Sequence, residues 1–341
     1  MTDSIQVIEA ASSMESVTRI TNDNLQLSIP NTNEIQARPE GEIAHKTTPD
    51  IVQAYIAAAV SENTRKAYQG DLADFLKWGG SVPCSPDTLA AYIANRAESL
   101  SPHTITRRIV GISRAHVSQE LPDPAKNDLV RTVLRGVRKT HGKPQRQVAP
   151  LLKQDLLSLL PLMQGTKGTR DRALLLLGFA AALRRSELVA LDVYSLAFVS
   201  EGMVIQLARS KTDQEGSGRK IAVPYGRTCA CPVKAVQQWL EHAQITSGPV
   251  FPSVSKGGQI GDRLTAQSVA LILKSYAEAA GLKASDIAGH SLRSGLVTSA
   301  AQVGVSAYKI QQQTGHRSAE MLSRYIRDAN MFENNAAGLL L

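Results

Sequence analysis

Three short segments in the C-terminal half of the chain carry residue types that suit chemistry at a phosphate. They read A-L-R-R-S-E-L from Ala182 to Leu188, G-H-S-L-R from Gly289 to Arg293, and G-H-R-S-A-E-M-L-S-R-Y from Gly315 to Tyr325. A phosphodiester is attacked most readily when its charge is neutralised, its leaving oxygen is protonated and a nucleophile lies in line. The arginines, histidines and tyrosine of these segments can supply such functions without a metal ion, so they predict a phosphoryl-transfer site.

Arg184 and Arg293 are the candidates for holding the phosphate, because a guanidinium can donate to two phosphate oxygens at once. Arg184 follows an apolar helix that can aim it into a cleft, whereas its neighbour Arg185 is interpreted as a surface residue. Glu187 lies three residues further along, on the same side of a helix as Arg184. We expect Glu187 to orient Arg184, since a carboxylate beside the phosphate would oppose attack.

His290 is the candidate for proton transfer. It lies three residues before Arg293, and Gly289 precedes it. If Ser291 begins a helix, both side chains can point to its N-terminal end, where free N–H groups favour an anion. A histidine has an ordinary pKa of about 6.5, which suits acid–base chemistry near neutral pH. A single histidine is usually structural, but one flanked in this way is a candidate catalyst.

The region that precedes these segments has the periodicity of helices. From about residue 49 to residue 140, apolar side chains recur at helical spacing. One helix start is expected at Ser61 or Asn63. Two more are expected at Ser85 and Ser101, and these two serines are each followed by proline. These signals predict a compact all-α unit.

A run of basic residues follows this unit. Residues 131–146 contain six basic side chains and no acidic one. A charge run is usually a solvated helix face, but the absence of any compensating acid favours contact with phosphates here. The polar, glycine- and proline-containing end of the run predicts a linker between two domains.

The second unit begins near residue 150 and is predicted to be mainly helical. Helices are expected at 153–163, 170–183, 186–190, 232–244, 265–281, 291–304, 306–313 and 318–326. Residues 203–208 and 219–223 alternate between apolar and polar side chains and contain β-branched residues, so they predict a β-hairpin. The sequence therefore predicts a mainly α fold with a small antiparallel sheet.

Composition limits the class of protein. A chain of 341 residues with 43% hydrophobic residues can build two cores. The net charge is +8, but residues 1–45 carry −5, so the remainder carries +13 and favours a polyanionic partner. The arm at 1–45 lacks a sustained apolar period and is expected to be disordered.

The cysteines and apolar runs indicate a cytoplasmic protein. Three cysteines argue against a disulfide framework and fit a reducing compartment. Cys229 and Cys231 have no matching second pair, so zinc is not expected. No signal peptide is expected. The longest apolar run, from Ala173 to Leu183, has 11 residues, whereas a membrane span takes about 20.

Together, the order and spacing of these motifs resemble those of the tyrosine site-specific recombinases, the phage integrase family, with a Cre-like two-domain layout. The resemblance covers roughly residues 49–341. It implies an N-terminal all-α core-binding (SAM-like) helical bundle and an α-rich catalytic domain with a small antiparallel β-sheet. The expected parts are a disordered arm at 1–45, a core-binding domain at 46–140, a linker at 141–149, a catalytic domain at 150–330 and a docking tail at 331–341.

The resemblance also implies roles for individual residues. Its L-R-x-S-E-L register selects Arg184, and Tyr325, nine residues after His316, occupies the position of the nucleophile. A phenol needs a base and nearby positive charge to attack near neutral pH. His316 occupies the position of a hydrogen-bond donor to the phosphate. Lys211, in A-R-S-K-T, occupies the position of the acid that protonates the departing 5′ oxygen, with Lys220 as a competing candidate.

The implied enzyme cleaves and rejoins DNA through a 3′-phosphotyrosyl bond and exchanges strands through a Holliday junction, without a cofactor, a metal or ATP. Its implied partners are duplex DNA with inverted-repeat sites and three further copies of the chain in a tetramer. The task is integration of a mobile element, or resolution of replicon dimers or of transposition products. The candidate DNA-contacting residues are Thr64, Arg65, Thr106, Arg107, Arg108, Arg131, Arg135, Arg138 and Lys139.

Two alternatives remain open on the same fold. One is a catalytically silent DNA-binding regulator, against which the intact set of candidate catalytic residues argues. The other is an enzyme like the type IB topoisomerases, which would use the same chemistry at single sites. Strand exchange between two sites would separate it from a recombinase.

Overall fold

The structure is a computed structural model. It describes residues 51, 54–55, 58–143, 148–207, 218–316, 320, 322–323 and 325–326. Lys211, the arm at 1–45 and the tail at 331–341 lie outside the described residues, so the predictions for them stay predictions. The chain divides into two compact units, Met1–Lys143 and Pro144–Leu341, and this division falls inside the stretch assigned to a linker.

The described part of the first unit is helical. Its α-helices are α1 (Glu62–Trp78), α2 (Pro86–Ala97), α3 (Pro102–Val117) and α4 (Asp128–His141). Ser61, Ser85 and Ser101 cap the first three, and each side chain accepts the backbone N–H three residues further along. The helix starts expected at serine are therefore confirmed.

The four helices enclose an apolar core. The helix α1 packs against α3, and α2 packs against α4. Phe75, Tyr92 and Ile112 are fully buried at the centre of this core. The outward side of the bundle is therefore free to carry polar and charged residues.

The second unit combines helices with two small antiparallel sheets. Its helices are α5 (Lys153–Leu159), α6 (Gly165–Ala180), α7 (Arg185–Ala190), α8 (Pro232–His242), α9 (Ala266–Ala279), α10 (Ser291–Gln302) and α11 (Ala307–Thr314). Its strands are β1 (Leu196–Val199), β2 (Gly202–Leu207), β3 (Arg219–Pro224), β4 (Pro252–Val254) and β5 (Ile260–Arg263). The mainly α fold with a small antiparallel sheet is confirmed.

The sheets contain more strands than the sequence indicated. The predicted hairpin is present as β2 and β3, but β1 adds a third strand and β4–β5 forms a second sheet. All four residues of β5 are exposed, and three of the four in β1 are as well. Such strands lack the alternation between buried and exposed residues on which strand prediction depends.

The helix α6 is the centre of the second unit. It starts at Gly165, five residues before the start that its apolar run indicated, and its C-terminal half from Ala173 to Gly178 is buried on every side. The helices α8 and α10 pack against it. The apolar run that ends at Leu183 is therefore a core helix and the turn after it. No helix within the described ranges has both the length and the apolar character needed to cross a bilayer.

Candidate active site

Arg184 is held at the N-terminus of α7. The Glu187 carboxylate accepts from the Arg184 backbone N–H at 2.9 Å and from Arg184 Nη1 at 2.6 Å. Glu187 is buried, whereas Arg184 is half-buried and Arg185 is exposed. The aliphatic part of Arg185 lies directly over Gly289. Glu187 thus fixes both the turn and the guanidinium of Arg184, as a positioning carboxylate would.

Arg293 lies on the first turn of α10 and is almost fully buried, with 1% of its surface exposed. Its Nη1 donates to the Ala182 carbonyl oxygen at 2.6 Å. Ala182 has a φ of +50°, a backbone conformation that costs a residue with a side chain about 1–3 kcal/mol. This strained turn ends the buried segment, aims a carbonyl at Arg293 and leads the chain into Arg184.

Backbone contacts fix the position of α10. The Leu151 N–H donates to the Ser291 carbonyl oxygen at 2.9 Å. A Cβ atom added to Gly295 would collide with the Leu151 carbonyl group, so only glycine permits this close approach. His290 and Arg293 are therefore carried by a helix end with little freedom to move.

Tyr325 and His290 lie side by side. The hydroxyl oxygen of Tyr325 is 3.4 Å from His290 Nε2. Tyr325 is partly buried against the apolar cluster that contains Val297, Ala301 and Ile310. This is the geometry of a nucleophile beside its base, at the long end of hydrogen-bond distance, as is common before substrate binds.

His316 follows α11 and is buried, with 7% of its surface exposed. Its Nδ1 lies 2.7 Å from Thr314 Oγ1, and Gln311 Nε2 donates to its backbone carbonyl oxygen at 2.9 Å. Thr314 Oγ1 also donates to the Ile310 carbonyl oxygen at 2.8 Å. These contacts fix the orientation of the His316 ring.

Burial and positive charge lower the pKa values of both histidines. Burial lowers the pKa of His316 to about 4, and the charges of Arg293 and Arg184 act in the same direction. Partial burial also lowers the pKa of His290, again with Arg293 and Arg184 adding to the effect. Both rings are therefore neutral at pH 7, and His290 is able to accept a proton. Burial likewise lowers the pKa of Arg293 to about 10.

The structure brings a further arginine, Arg219, close to these residues. It opens β3, and its Nη1 lies 3.4 Å from the Gln313 carbonyl oxygen, just before His316. Sequence reasoning missed it, although alternation along a strand places Arg219 on the same face as the buried Ile221 and opposite Lys220, which is exposed. That alternation was the signal in the sequence that pointed to Arg219.

The first unit carries the residues predicted to contact DNA. Arg131, Arg135, Arg138 and Lys139 are all exposed on α4. Within the described part of the chain, Asp128, 3.4 Å from Arg131 Nη1, is the one carboxylate within ion-pair distance of this group. The helix α4 therefore presents a basic face to solvent.

Three more of these predicted residues are half-buried on α1 and α3. Thr64 and Arg65 lie on the first turn of α1, where Thr64 Oγ1 is 2.8 Å from Ser61 Oγ. Thr106 accepts from Arg138 Nη2 at 3.1 Å. Thr106 is thereby linked to the basic face of α4.

Arg107 and Arg108 differ from the α4 group because they form ion pairs inside the first unit. Arg107 Nη2 donates to Asp71 Oδ1 at 2.8 Å. Arg108 Nη1 pairs with Asp74 and lies 3.0 Å from the Tyr92 hydroxyl. Only 15% of the Arg108 side chain is exposed. Their predicted contact with DNA stays a prediction, but the structure gives both arginines a role in holding α3 on α1.

Among the described residues, no three His, Cys, Asp or Glu side chains are gathered closely enough to hold a metal ion. The candidate active site is instead composed of cations, imidazoles and a phenol around one buried carboxylate. Such a site can bind a phosphate, remove a proton from the phenol and stabilise charge that develops on phosphate oxygens.

Comparison with known proteins places this arrangement in context. A family model described as "Phage integrase family" matches residues 150–331. A protein from Selenomonas ruminantium named "Integrase/recombinase xerD homolog" is 40% identical over 288 residues, which cover 81% of this chain and 84% of that protein.

Two solved structures have a similar fold. One is the XerH site-specific recombinase bound to a palindromic difH substrate, with a TM-score of 0.62, 17% identity and coverage of 85% of this chain and 83% of XerH. The other is a lambda integrase dimer bound to a COC′ core site, with a TM-score of 0.59, 16% identity and coverage of 84% of this chain and 78% of that one.

Proposed function

This chain belongs to the phage integrase family of tyrosine recombinases, and from that membership we propose that it recombines DNA sites through a 3′-phosphotyrosyl bond to Tyr325. The observation that carries the proposal is the 3.4 Å distance between the Tyr325 hydroxyl and His290 Nε2. That pair lies in a site where Arg184 and Arg293 supply positive charge. A nucleophile, a base and charge neutralisation are therefore present in one place.

The cleavage step begins with Arg184 and Arg293 donating to non-bridging oxygens of the scissile phosphate. His290 Nε2 takes the proton of the Tyr325 hydroxyl, which then attacks phosphorus. The bond from phosphorus to the tyrosyl oxygen forms, and the bond from phosphorus to the 5′ oxygen breaks. The departing oxygen takes a proton from an acid, for which we propose Lys211. Because its pKa is lowered, His290 is unprotonated and ready at neutral pH.

Strand exchange is the reverse reaction with a different alcohol. A 5′ hydroxyl from the partner duplex gives its proton to Lys211, which cleavage left neutral, and attacks phosphorus. The bond from phosphorus to the tyrosyl oxygen breaks, and His290 returns a proton to that oxygen. One pair of such exchanges joins two duplexes in a Holliday junction, and a second pair resolves it. The energy of the original phosphodiester is kept in the tyrosyl ester, so no ATP is consumed.

DNA binding is assigned to both units. We propose that the exposed basic residues of α4, Arg131, Arg135, Arg138 and Lys139, contact backbone phosphates. Such contacts position a protein on duplex DNA without reading its sequence. The expected assembly is a tetramer on two inverted-repeat sites in the cytoplasm, with the tail at 331–341 docked on a neighbouring protomer. XerH is described as bound to a palindromic difH substrate and the Tn1549 transposon integrase as in complex with transposon right end DNA, which supports this partner.

Covalent trapping tests the proposal. Wild type and Tyr325→Phe are incubated with nicked duplexes from the flanks of the gene, and the products are run on denaturing gels. A nick beside the scissile phosphate lets a short fragment leave, so the adduct accumulates. Tyr194→Phe is the matched control, because Tyr194 is 85% exposed. We expect an adduct with wild type and Tyr194→Phe but not with Tyr325→Phe.

Two other outcomes would favour the alternatives. Specific binding by all three proteins without any adduct would contradict the enzymatic mechanism and leave a DNA-binding regulator. An adduct without joined products when two sites are supplied would indicate chemistry at single sites, as in type IB topoisomerases.

A further inference from the structure

Arg219 is directed into the candidate active site by the register of the sheet. It begins β3 opposite Leu207 of β2. Because side chains alternate along a strand, Arg219 shares a face with Ile221 and Val223, which are both buried. A Cβ atom added to Gly315 would collide with Arg219 Nη1. The guanidinium therefore lies directly against the backbone that carries His316.

Arg219 and Arg293 both hold buried donors without an acceptor. Arg219 Nε, Arg219 Nη2 and Arg293 Nη2 are inaccessible to solvent, and no acceptor in the described part of the chain bonds to them. A buried donor left unpaired costs about 1–3 kcal/mol. Native proteins rarely retain such donors without a functional reason. Two arginines with this feature in one site indicate that an acceptor from outside the protein completes it.

The charges around Arg219 identify the kind of acceptor. Burial lowers the pKa of Arg219, with Glu187 opposing that shift and Arg184 adding to it. The guanidinium is thus within electrostatic reach of both residues. Three guanidinium groups, those of Arg184, Arg219 and Arg293, accompany the one carboxylate of Glu187, which leaves an excess of positive charge. A phosphodiester is singly charged, and its five-coordinate transition state carries a second negative charge, so this excess suits the transition state.

We propose that Arg219 is a third catalytic arginine, whose Nε and Nη2 donate to a non-bridging oxygen of the scissile phosphate. This role rests on the proposed function of the site. It differs from a purely structural role, in which Arg219 would only support the loop before His316 through the Gln313 carbonyl oxygen. The two roles differ in how the defect of a variant depends on the charge of the phosphate.

The test compares two nicked substrates that differ at the scissile phosphate. One carries the ordinary phosphodiester, and the other carries a methylphosphonate, in which a methyl group replaces one non-bridging oxygen and removes the charge. We expect Arg219→Ala to form the covalent adduct about 100-fold more slowly than wild type on the phosphodiester. The defect should largely disappear on the methylphosphonate, since no charge remains to be neutralised there.

The controls separate catalysis from folding and binding. Arg227→Ala removes the same charge from an exposed position of the same unit and should match wild type on both substrates. Arg219→Lys keeps the charge but loses the two-pronged donor, so its rate should lie between wild type and Arg219→Ala. Thermal melting and non-covalent DNA affinity are measured for each variant, and Arg219→Gln replaces Arg219→Ala if the latter is unfolded.

Two results would overturn the role of Arg219 alone. A variant that cleaves the phosphodiester at the wild-type rate would show that Arg219 is not needed. An equal defect on both substrates would show that it acts through the loop before His316. Failure of wild type itself to form any adduct would instead refute the proposed function, so the two claims are separable.

Discussion

Each unit of this protein gathers three arginines, but the two groups differ in the acids that accompany them. In the first unit, Asp71 accepts from Arg107, and Asp74 accepts from both Arg96 and Arg108. Even the unbonded Nε of Arg108 lies 3.8 Å from Asp71 Oδ1. Every guanidinium of this group therefore has a carboxylate beside it.

In the second unit, one carboxylate serves the whole group. Glu187 pairs with Arg184, whereas Arg219 and Arg293 have no ion-pair partner among the described residues and retain buried, unpaired donors. Among the described residues, this group therefore carries an excess of positive charge. Arginines that are paired with carboxylates stabilise the fold. Arginines that lack a carboxylate partner are available to bind an anion.

The largest difference between the two groups of arginines is expected in the rate of cleavage, for the variant Arg293→Ala. Arg293→Ala removes a guanidinium that we propose donates to the scissile phosphate, and we expect adduct formation to slow by about 1,000-fold, since removing one preorganised donor costs about 10²–10³. Arg108→Ala, measured in the same cleavage assay with saturating DNA, should lose far less. Equal losses in the two variants would contradict the distinction between the groups.

The reverse effect is expected in unfolding experiments. Arg108→Ala leaves Asp71 and Asp74 short of a cation in a largely buried position, which should lower the free energy of unfolding by about 3 kcal/mol. The urea midpoint measures this change. Arg293→Ala should lose less stability, because the loss of its hydrogen bond to the Ala182 carbonyl oxygen is offset by the removal of a buried charge that has no ion-pair partner among the described residues. If Arg293→Ala were destabilised and Arg108→Ala were not, the distinction between the two groups of arginines would be contradicted.

The lowered pKa of His316 predicts that the stability of the protein depends on pH. The pKa of His316 is about 4 in the folded protein, against 6.5 for the ordinary group. Between these values the unfolded chain binds a proton that the folded chain does not. Stability is therefore complete above about pH 6.5 and falls as the pH drops towards about 4, by on the order of 2 kcal/mol.

Urea midpoints measured across this pH range test the histidine prediction. His316→Gln removes the titrating group, so its stability should fall less steeply with acid than that of wild type. Identical slopes for the two proteins would show that His316 is not depressed by its surroundings.

The smallest expected effect concerns the exposed basic face of α4. Arg135→Ala should weaken binding to all duplex sequences alike and should reduce the slope of log affinity against log salt by about one, the value for one lost phosphate contact. Lys77→Ala, an exposed lysine on α1, serves as the control for charge. Binding isotherms at several salt concentrations give both slopes, and an unchanged slope for Arg135→Ala would remove this residue from the interface.

Much of the candidate active site could be predicted from the sequence because its residues occur in short local motifs. The choice of Arg184 over Arg185 came from the L-R-x-S-E-L register of the resemblance, and the placement of His290 and Arg293 at one helix end came from a helix start expected at Ser291. In the structure that helix does begin at Ser291, and Arg185 is exposed. The helix starts at serine followed by proline were equally local signals.

The parts that were missed depend on distant pairing. The ion pair between Arg108 and Asp74 could not be foreseen, because the two residues lie 34 positions apart on different helices. Arg219 was overlooked because its importance depends on its contact with the backbone before His316, which is distant in sequence. The strands β1 and β5 lack the alternation between buried and exposed residues on which strand prediction depends.

The most direct test of the central claim is to identify the residue that carries the DNA. The covalent adduct is trapped on a nicked duplex, digested with nuclease and protease, and its linked peptide is sequenced by mass spectrometry. We expect a nucleotide 3′ phosphate attached to Tyr325. Attachment to any other residue, such as the exposed Tyr308, would contradict it.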